Sequence, residues 1–367
     1  MINRRDVLKT GFACAAASLV LPRFAWAESA TFAPAPGKWR VFDIKTQIDI
    51  PAAGGKVQAW IPLPSMTEDD WIEAGENDWK TNAATAEVVA DPKYGAKMLH
   101  VVFKDGETAP GVTLKSRFSV QDRAADLSVK KDIAPLSDAE RALNLEATDL
   151  MPLDGIVKET AEKIVAGKTS DREKAEAVYE WVVANTFRNA KTRGCGTGDV
   201  ASMLKSGNLS GKCADLNALN VALLRAAGVP ARDLYGIRVA PSNFGYKSLG
   251  AGSATITKAQ HCRSEVWLEG QGWVATDPAD VRKVILEEPP GNNSADAPKV
   301  VAAKNALFGG WEGNWLGYNV AHDVVLPGST HKVAFLMYPQ AEVAGALLDC
   351  LDPDNFKYTI TSAEVLA

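Results

Sequence analysis

Cys213 is the residue whose position most suggests chemistry. It follows Ser210-Gly211-Lys212 and opens a run in which Leu216, Leu219 and Leu223 fall on one side of a helix, with Ala214, Ala218, Val221 and Ala222 filling the rest. A helix so apolar all round is a buried one, and Gly228 and Pro230 stop it. A thiol in its first turn sits near the positive end of the helix dipole, where unpaired N–H groups favour a thiolate. Gly211 permits a tight turn into the helix and removes bulk beside the sulfur, and Lys212 adds positive charge. Read without that context, Cys213 is a small apolar core residue. Its place at the start of the helix favours a nucleophile.

A thiolate nucleophile needs a general base, and the base needs a partner to orient it. The chain has four histidines: His100, His261, His322 and His331. His100 falls in a strand-like segment, His331 follows the turn Gly328-Ser329-Thr330, and His322 lies in the tail, so each reads as a packing or surface histidine. His261 opens the strand-like segment Ser264–Leu268, which turns through Glu269-Gly270-Gln271-Gly272 into Trp273–Thr276 and then Asp277-Pro278. A two-residue turn would put positions 261 and 277 on opposite faces. A three-residue loop centred on Gly270 pairs 277 with 263 and makes 261 its diagonal neighbour on the same face, within about 7–8 Å. Asp277 is therefore the candidate orienting carboxylate. A turn residue ahead of proline is its plainer reading, and Asp280 and Glu265 compete for the role.

The elements that must position these residues change character along the chain. From Trp39 to about Val120 the pattern is strand-like: Phe42, Ile44, Thr46, Ile48 and Ile50 alternate with more polar neighbours, as do Val112, Leu114, Ser116, Phe118 and Val120. Ala52-Ala53-Gly54-Gly55 reads as a hairpin turn into Lys56–Leu63. From about residue 138 the pattern is helical. Asp154–Ala166 puts Ile156, Val157, Thr160, Ala161, Ile164 and Val165 on one face, with Gly167 to end it. Ser170 and Glu173 form a capping box for a helix reaching about Asn185. After the Cys213 helix come strands at Asp233–Val239, Ser264–Leu268 and Gly272–Thr276, with further candidates at Lys332–Tyr338 and Phe356–Thr361. The fold class is α+β, with an antiparallel β-domain ahead of the helices.

Three blocks then resemble one family. Gly211-Lys212-Cys213-Ala214-Asp215-Leu216 running to Arg225-Ala226-Ala227-Gly228-Val229-Pro230-Ala231-Arg232 resembles the cysteine helix and its exit in transglutaminase-like domains. His261-Cys262-Arg263-Ser264-Glu265-Val266-Trp267 and Gly272-Trp273-Val274-Ala275-Thr276-Asp277-Pro278 resemble the family's histidine and aspartate blocks, in the family's order. The resemblance implies a papain-like core, a helix-borne cysteine packed on an antiparallel sheet. It also implies acyl transfer from an amide through a thioester, with Cys213, His261 and Asp277 as the triad. Exported bacterial cysteine proteases and amidases of this type are the implied class, acting on peptide or protein substrates. Hydrolysis is favoured over amine transfer because no EF-hand-like calcium loop is present. A non-catalytic binding protein on the same fold is the other reading.

One departure concerns the cysteines. Many members carry an aromatic residue after the histidine, and here Cys262 stands there. Cys195 sits in the glycine-rich Arg193-Gly194-Cys195-Gly196-Thr197-Gly198. The two either form a disulfide bracing the site or remain separate buried thiols. No C-x-x-C pair occurs and the spacing of Cys195, Cys213, His261 and Cys262 is unlike structural zinc sites. No metal and no cofactor are therefore expected. Gly207–Cys213 imitates a phosphate loop but is one residue short, with cysteine where Ser or Thr would bind magnesium.

The chain-wide figures set the remaining expectations. The 367 residues are 46% hydrophobic and 23% charged, an ordinary globular composition. The run Asn3-Arg4-Arg5-Asp6-Val7-Leu8-Lys9, the apolar stretch to Leu21 and Ala25-Trp26-Ala27 read as a twin-arginine export leader cleaved before Glu28. A periplasmic or secreted protein without stable membrane insertion follows. Beyond the leader there are 36 basic and 44 acidic residues, a net charge of −8 with no basic stripe, so nucleic acid is a poor partner. The expected divisions are a leader at 1–27, a linker at 28–37, a β-rich region at 38–137, the catalytic core at 138–290 and a β-rich extension at 291–367.

Overall fold

The computed structural model describes residues 31–51, 54–68 and 70–365; the leader lies outside them. Residues from Thr31 onward form one compact unit. No helix among the described residues is long and apolar enough to cross a membrane.

Alternation in the sequence becomes one-sided burial in the first strand. Arg40–Asp49 buries Phe42, Ile44, Thr46 and Ile48 and turns its other residues toward water. It pairs with Gly111–Val120, whose buried residues also alternate. The following strand, Val57–Pro62, is buried along its whole length and lies second from neither edge but at the centre of a different five-stranded sheet. The hairpin read at residues 52–55 is thus replaced by a crossing from one sheet to another. The physical reason is visible in Val57-Gln58-Ala59-Trp60-Ile61-Pro62: a segment covered on both faces needs a central position, and Arg40–Asp49, half exposed, cannot cover it.

Both sheets are completed by the end of the chain. Tyr358–Val365 pairs with Arg40–Asp49, and Gln340–Val343 pairs with Val57–Pro62. The β-rich stretches at 38–137 and 291–367 therefore share sheets, whatever their separation in sequence. The helical middle includes Gly155–Ile164, the Ser170-capped Asp171–Asn185 and the buried Cys213–Ala226.

The central sheet positions the chemistry. Its antiparallel order is Gly272–Thr276, Gln260–Leu268, Ala231–Arg238, Trp315–Asn319. The Cys213 helix packs across it: Asn217 Nδ2 donates to the Cys262 carbonyl at 2.8 Å, and Asn220 Nδ2 reaches Ser264 Oγ at 3.3 Å. The tail supplies the outer strand and, with it, Trp315, whose Nε1 donates to the His261 carbonyl at 3.0 Å. Trp315 stacks on Trp71 from the N-terminal region and meets Trp311 edge-on. The Arg263 guanidinium lies over both Trp311 and Trp315, 4.9 and 4.8 Å from their ring centres.

The fit of Trp315 depends on Gly236, beside a register shift in the pairing of Ala231–Arg238 with Trp315–Asn319. A Cβ at Gly236 would overlap the Leu316 carbonyl oxygen and the Trp315 ring. Gly236→Ala is accordingly expected to lower stability by about 3 kcal/mol, the upper range for overpacking. Chemical denaturation checks this; a change under about 0.5 kcal/mol, the size of an ordinary surface substitution, would mean the strand pairing is looser than described.

Candidate active site

Cys213 is the first residue of its helix and is 3% exposed. The turn into the helix is held by Asp215, the third helical residue. Its Oδ2 accepts from the Lys212 N–H at 2.9 Å, and its Oδ1 accepts from the N–H groups of Thr197 and Gly198 at 2.9 and 3.0 Å. The Ala214 N–H donates to the Cys195 carbonyl at 2.9 Å. One buried carboxylate thus ties the glycine-rich loop to the helix start. Glycine is required at two places around it: a Cβ on Gly196, whose φ is +94°, or on Gly211 would strike the Asp215 carboxylate.

His261 lies near the start of Gln260–Leu268. The hairpin that follows pairs Leu268 with Gly272 and Trp267 with Trp273, leaving three loop residues centred on Gly270 at φ +72°. Extending that register sets 277 opposite 263, diagonal to 261. His261 Nε2 lies 2.8 Å from Asp277 Oδ2. Asp277 also caps the helix Pro278–Glu287, its Oδ1 accepting from the Asp280 N–H at 3.0 Å and from Asn217 Nδ2 at 3.3 Å. The turn reading and the orienting reading of Asp277 are therefore compatible, one oxygen serving each.

The competing carboxylates are placed differently. Asp280 Oδ2 is 3.4 Å from His261 Nε2, and its Oδ1 is held by Arg238 Nη2 at 2.5 Å. Glu265 is bound by Arg123 and by Arg232 and makes no contact with His261. Both Asp277 and Asp280 lie within reach of the ring, with Asp277 the closer.

Burial and charge act in opposite senses across this group. Burial, and next the charge of Arg238, would lower His261, but Asp280 and Asp277 outweigh them and lift it to about 9. Burial would raise the Cys213 thiol. Hydrogen bonds from Cys195, Cys262 and His261, with the charge of the imidazolium, reverse that and hold Cys213 well below the usual thiol range. Nε2 faces Asp277, which leaves Nδ1 as the ring nitrogen free for the sulfur. Cys195 is pushed up by its hydrogen bond to Cys213, and Cys262 by burial. Of the three thiols, Cys213 alone is shifted toward the ionised form.

The sulfurs of Cys195, Cys213 and Cys262 lie within 4.8 Å of one another, and all three are free thiols. Cys195 and Cys262 are thus juxtaposed without a disulfide. The fold supplies a proximity that spacing along the chain does not reveal.

Cys213 and His261 open on a cleft of about 390 Å³, with Cys195, Gln260 and Tyr338 in its wall. Asp277 stands behind the imidazole, wholly buried. Among the described residues the Cys213 N–H has no acceptor, and the buried Nε2 of Gln260 and Nε of Arg263 make no hydrogen bond. Gln260 was not singled out by sequence reasoning, and neither was Asp215. A carboxylate at the third position of a helix is a recognisable cap; an amide next to the histidine carries no such signal.

Residues 158–278, which include Cys213, His261 and Asp277, match the core of the transglutaminase-like superfamily. The chain is also 36% identical over 329 residues to an uncharacterized protein of Haemophilus influenzae, covering 85% of this chain and 87% of that one. The chain belongs to the transglutaminase-like superfamily. Among solved structures, this superfamily member is similar to a candidate cysteine protease from Cytophaga hutchinsonii, with a TM-score of 0.54 and 13% identity over 91% of this chain and 94% of that one. The periplasmic domain of TgpA from Pseudomonas aeruginosa aligns with a TM-score of 0.36 and 15% identity, over 67% of this chain and 88% of that domain.

Asp215→Ala removes the acceptor of three N–H groups, that of Gly198 buried and those of Thr197 and Lys212 partly buried. It is expected to cost about 3 kcal/mol in chemical unfolding, at the low end of the sum for three unsatisfied donors. Asp215→Asn, keeping one acceptor oxygen, is expected to cost less. Equal stability of Asp215→Ala and the unaltered protein would contradict the clamp.

Proposed function

We propose that this chain is a cysteine-nucleophile enzyme that cleaves peptide or side-chain amides through a thioester. The observation that carries the reading is the buried Cys213 thiol lining one cleft with His261, whose Nε2 is 2.8 Å from Asp277.

Each group then has one task. The Cys213 thiolate attacks the amide carbonyl carbon, and the carbonyl π electrons move to oxygen. The oxyanion accepts from the Cys213 N–H, which has no acceptor among the described residues. His261 passes its Nδ1 proton to the leaving amine as the C–N bond breaks, giving the thioester. Water then adds to the thioester carbonyl, giving its proton to His261, and the thiolate departs. Asp277 keeps the ring oriented and offsets its charge throughout. An amine in place of water gives amide exchange by the same steps.

The test is to incubate the protein with a set of peptide amides, with and without added primary amine, and to follow products and intact mass. Turnover is expected with a transient acyl adduct on Cys213, and Cys213→Ala abolishes both. His261→Ala is expected to lower kcat by about 10³-fold or more. Free acid as the product, even with amine present, identifies a hydrolase; the amine adduct identifies a transferase. Undiminished turnover by Cys213→Ala would overturn the assignment.

A further inference from the structure

The protein as a whole is acidic, with a formal net charge of −5, yet its catalytic cleft is lined by five cationic side chains and, among the described residues, by no carboxylate. They are Arg188, Lys212, Arg238, Lys258 and Lys283. Three have close partners outside the lining. Arg188 Nε is 2.8 Å from Glu287, Arg238 Nη2 is 2.5 Å from Asp280, and Lys258 is 3.5 Å from Asp354 at the exposed rim. The other two are poorly compensated. Lys212 has no ionic partner among the described residues. Lys283 lies 3.9 Å from Glu287, which Arg188 already engages, and its side chain is only 18% exposed.

Holding an ammonium group with so little water and only a shared carboxylate at 3.9 Å is costly. Burial, and then the charge of Arg238, push Lys283 down to about 8. A cation in that condition attracts an incoming anion, which adds to the charge that Glu287 divides between Arg188 and Lys283. The cleft is at the small end of the range for ligand pockets, so an anion on these lysines stands within a short peptide's length of Cys213.

We propose that Lys283 and Lys212 bind a carboxylate of the substrate, so that the amides attacked by Cys213 are those neighbouring a free carboxylate. The proposal rests on Cys213 being the nucleophile and adds the class of substrate that reaches it. The carboxylate is either the C-terminus of a peptide or an acidic side chain.

Paired alkylation of Cys213 by iodoacetate and iodoacetamide tests it, because the two reagents present the same reactive carbon and differ in charge. The ratio of their rates is expected to exceed that of a small free thiol and to fall with added salt. His261 also carries positive charge, so the lysine variants decide the matter. Lys283→Gln combined with Lys212→Gln is expected to lower the ratio on the order of tenfold, the size of a local electrostatic enrichment, while Lys283→Arg preserves it. Circular dichroism and thermal unfolding of each variant establish that it is folded, and the ratio cancels any general change in thiol reactivity.

Fast iodoacetamide reaction with a ratio unmoved in the double variant overturns this proposal and leaves the nucleophile standing. Slow reaction of Cys213 with both reagents overturns the nucleophile and this proposal with it. Protection against iodoacetamide then identifies the source. A neutral peptide with a free C-terminus protects if the terminus is bound, and a C-terminally amidated peptide containing Glu protects if the side chain is bound. Failure of both to protect overturns the proposal.

Discussion

The structure is organised around a thiol and an imidazole that are almost wholly buried yet open on one cleft. Cys213 and His261 are each 3% exposed, with Asp277 and Asp280 behind the ring. Burying such a pair is unfavourable unless every charge has fixed partners. The helix start answers for the sulfur and the two aspartates for the imidazole. Arg238 and Arg263 then answer for the aspartates, Arg263 Nε lying 3.6 Å from Asp277 Oδ2. The alternation of sign continues outward until it meets the tryptophan cluster, where the Arg263 guanidinium rests on two indole faces.

That chain of dependence explains why distant parts of the sequence converge on the site. The cysteine helix alone would hold a thiol, but not a base. The Gly270 hairpin brings His261 and Asp277 together, and the tail returns as Trp315–Asn319 to fix the His261 backbone. Trp71, from the N-terminal region, completes the indole cluster. The β-rich flanks thus act as a support whose accuracy is felt at the imidazole, rather than as separate modules.

Local chemistry was legible in the sequence where one segment determined it. The start of the Cys213 helix, the Ser170 capping box and the three-residue loop at Gly270 each rest on a few adjacent residues, and all three are present. Partners across the chain were not legible. Alternation in Arg40–Asp49 reveals which face is buried and says nothing about the neighbouring strand, so its pairing with Tyr358–Val365 could not be read, and Val57–Pro62 was assigned to the wrong partner. The same limit applies to the site. Cys195 and Cys262 were placed near the nucleophile through the family resemblance, but a cluster of three free sulfurs within 4.8 Å is a property of the fold. Gln260 lacked any signal, because an unpartnered amide exists only once every neighbour is in place.

The charge-separated pair is tested most directly by titrating the Cys213 thiolate through its ultraviolet absorbance, as a difference against Cys213→Ser, in the unaltered protein and in His261→Ala. A lowered thiol stays ionised on the acid side of an ordinary thiol and protonates only as the pH falls through its depressed value. The thiolate signal is therefore expected to persist well below pH 8.5, the free-cysteine value, and to shift back toward that value in His261→Ala. A Cys213 that titrates like an ordinary thiol, with or without His261, would contradict the account.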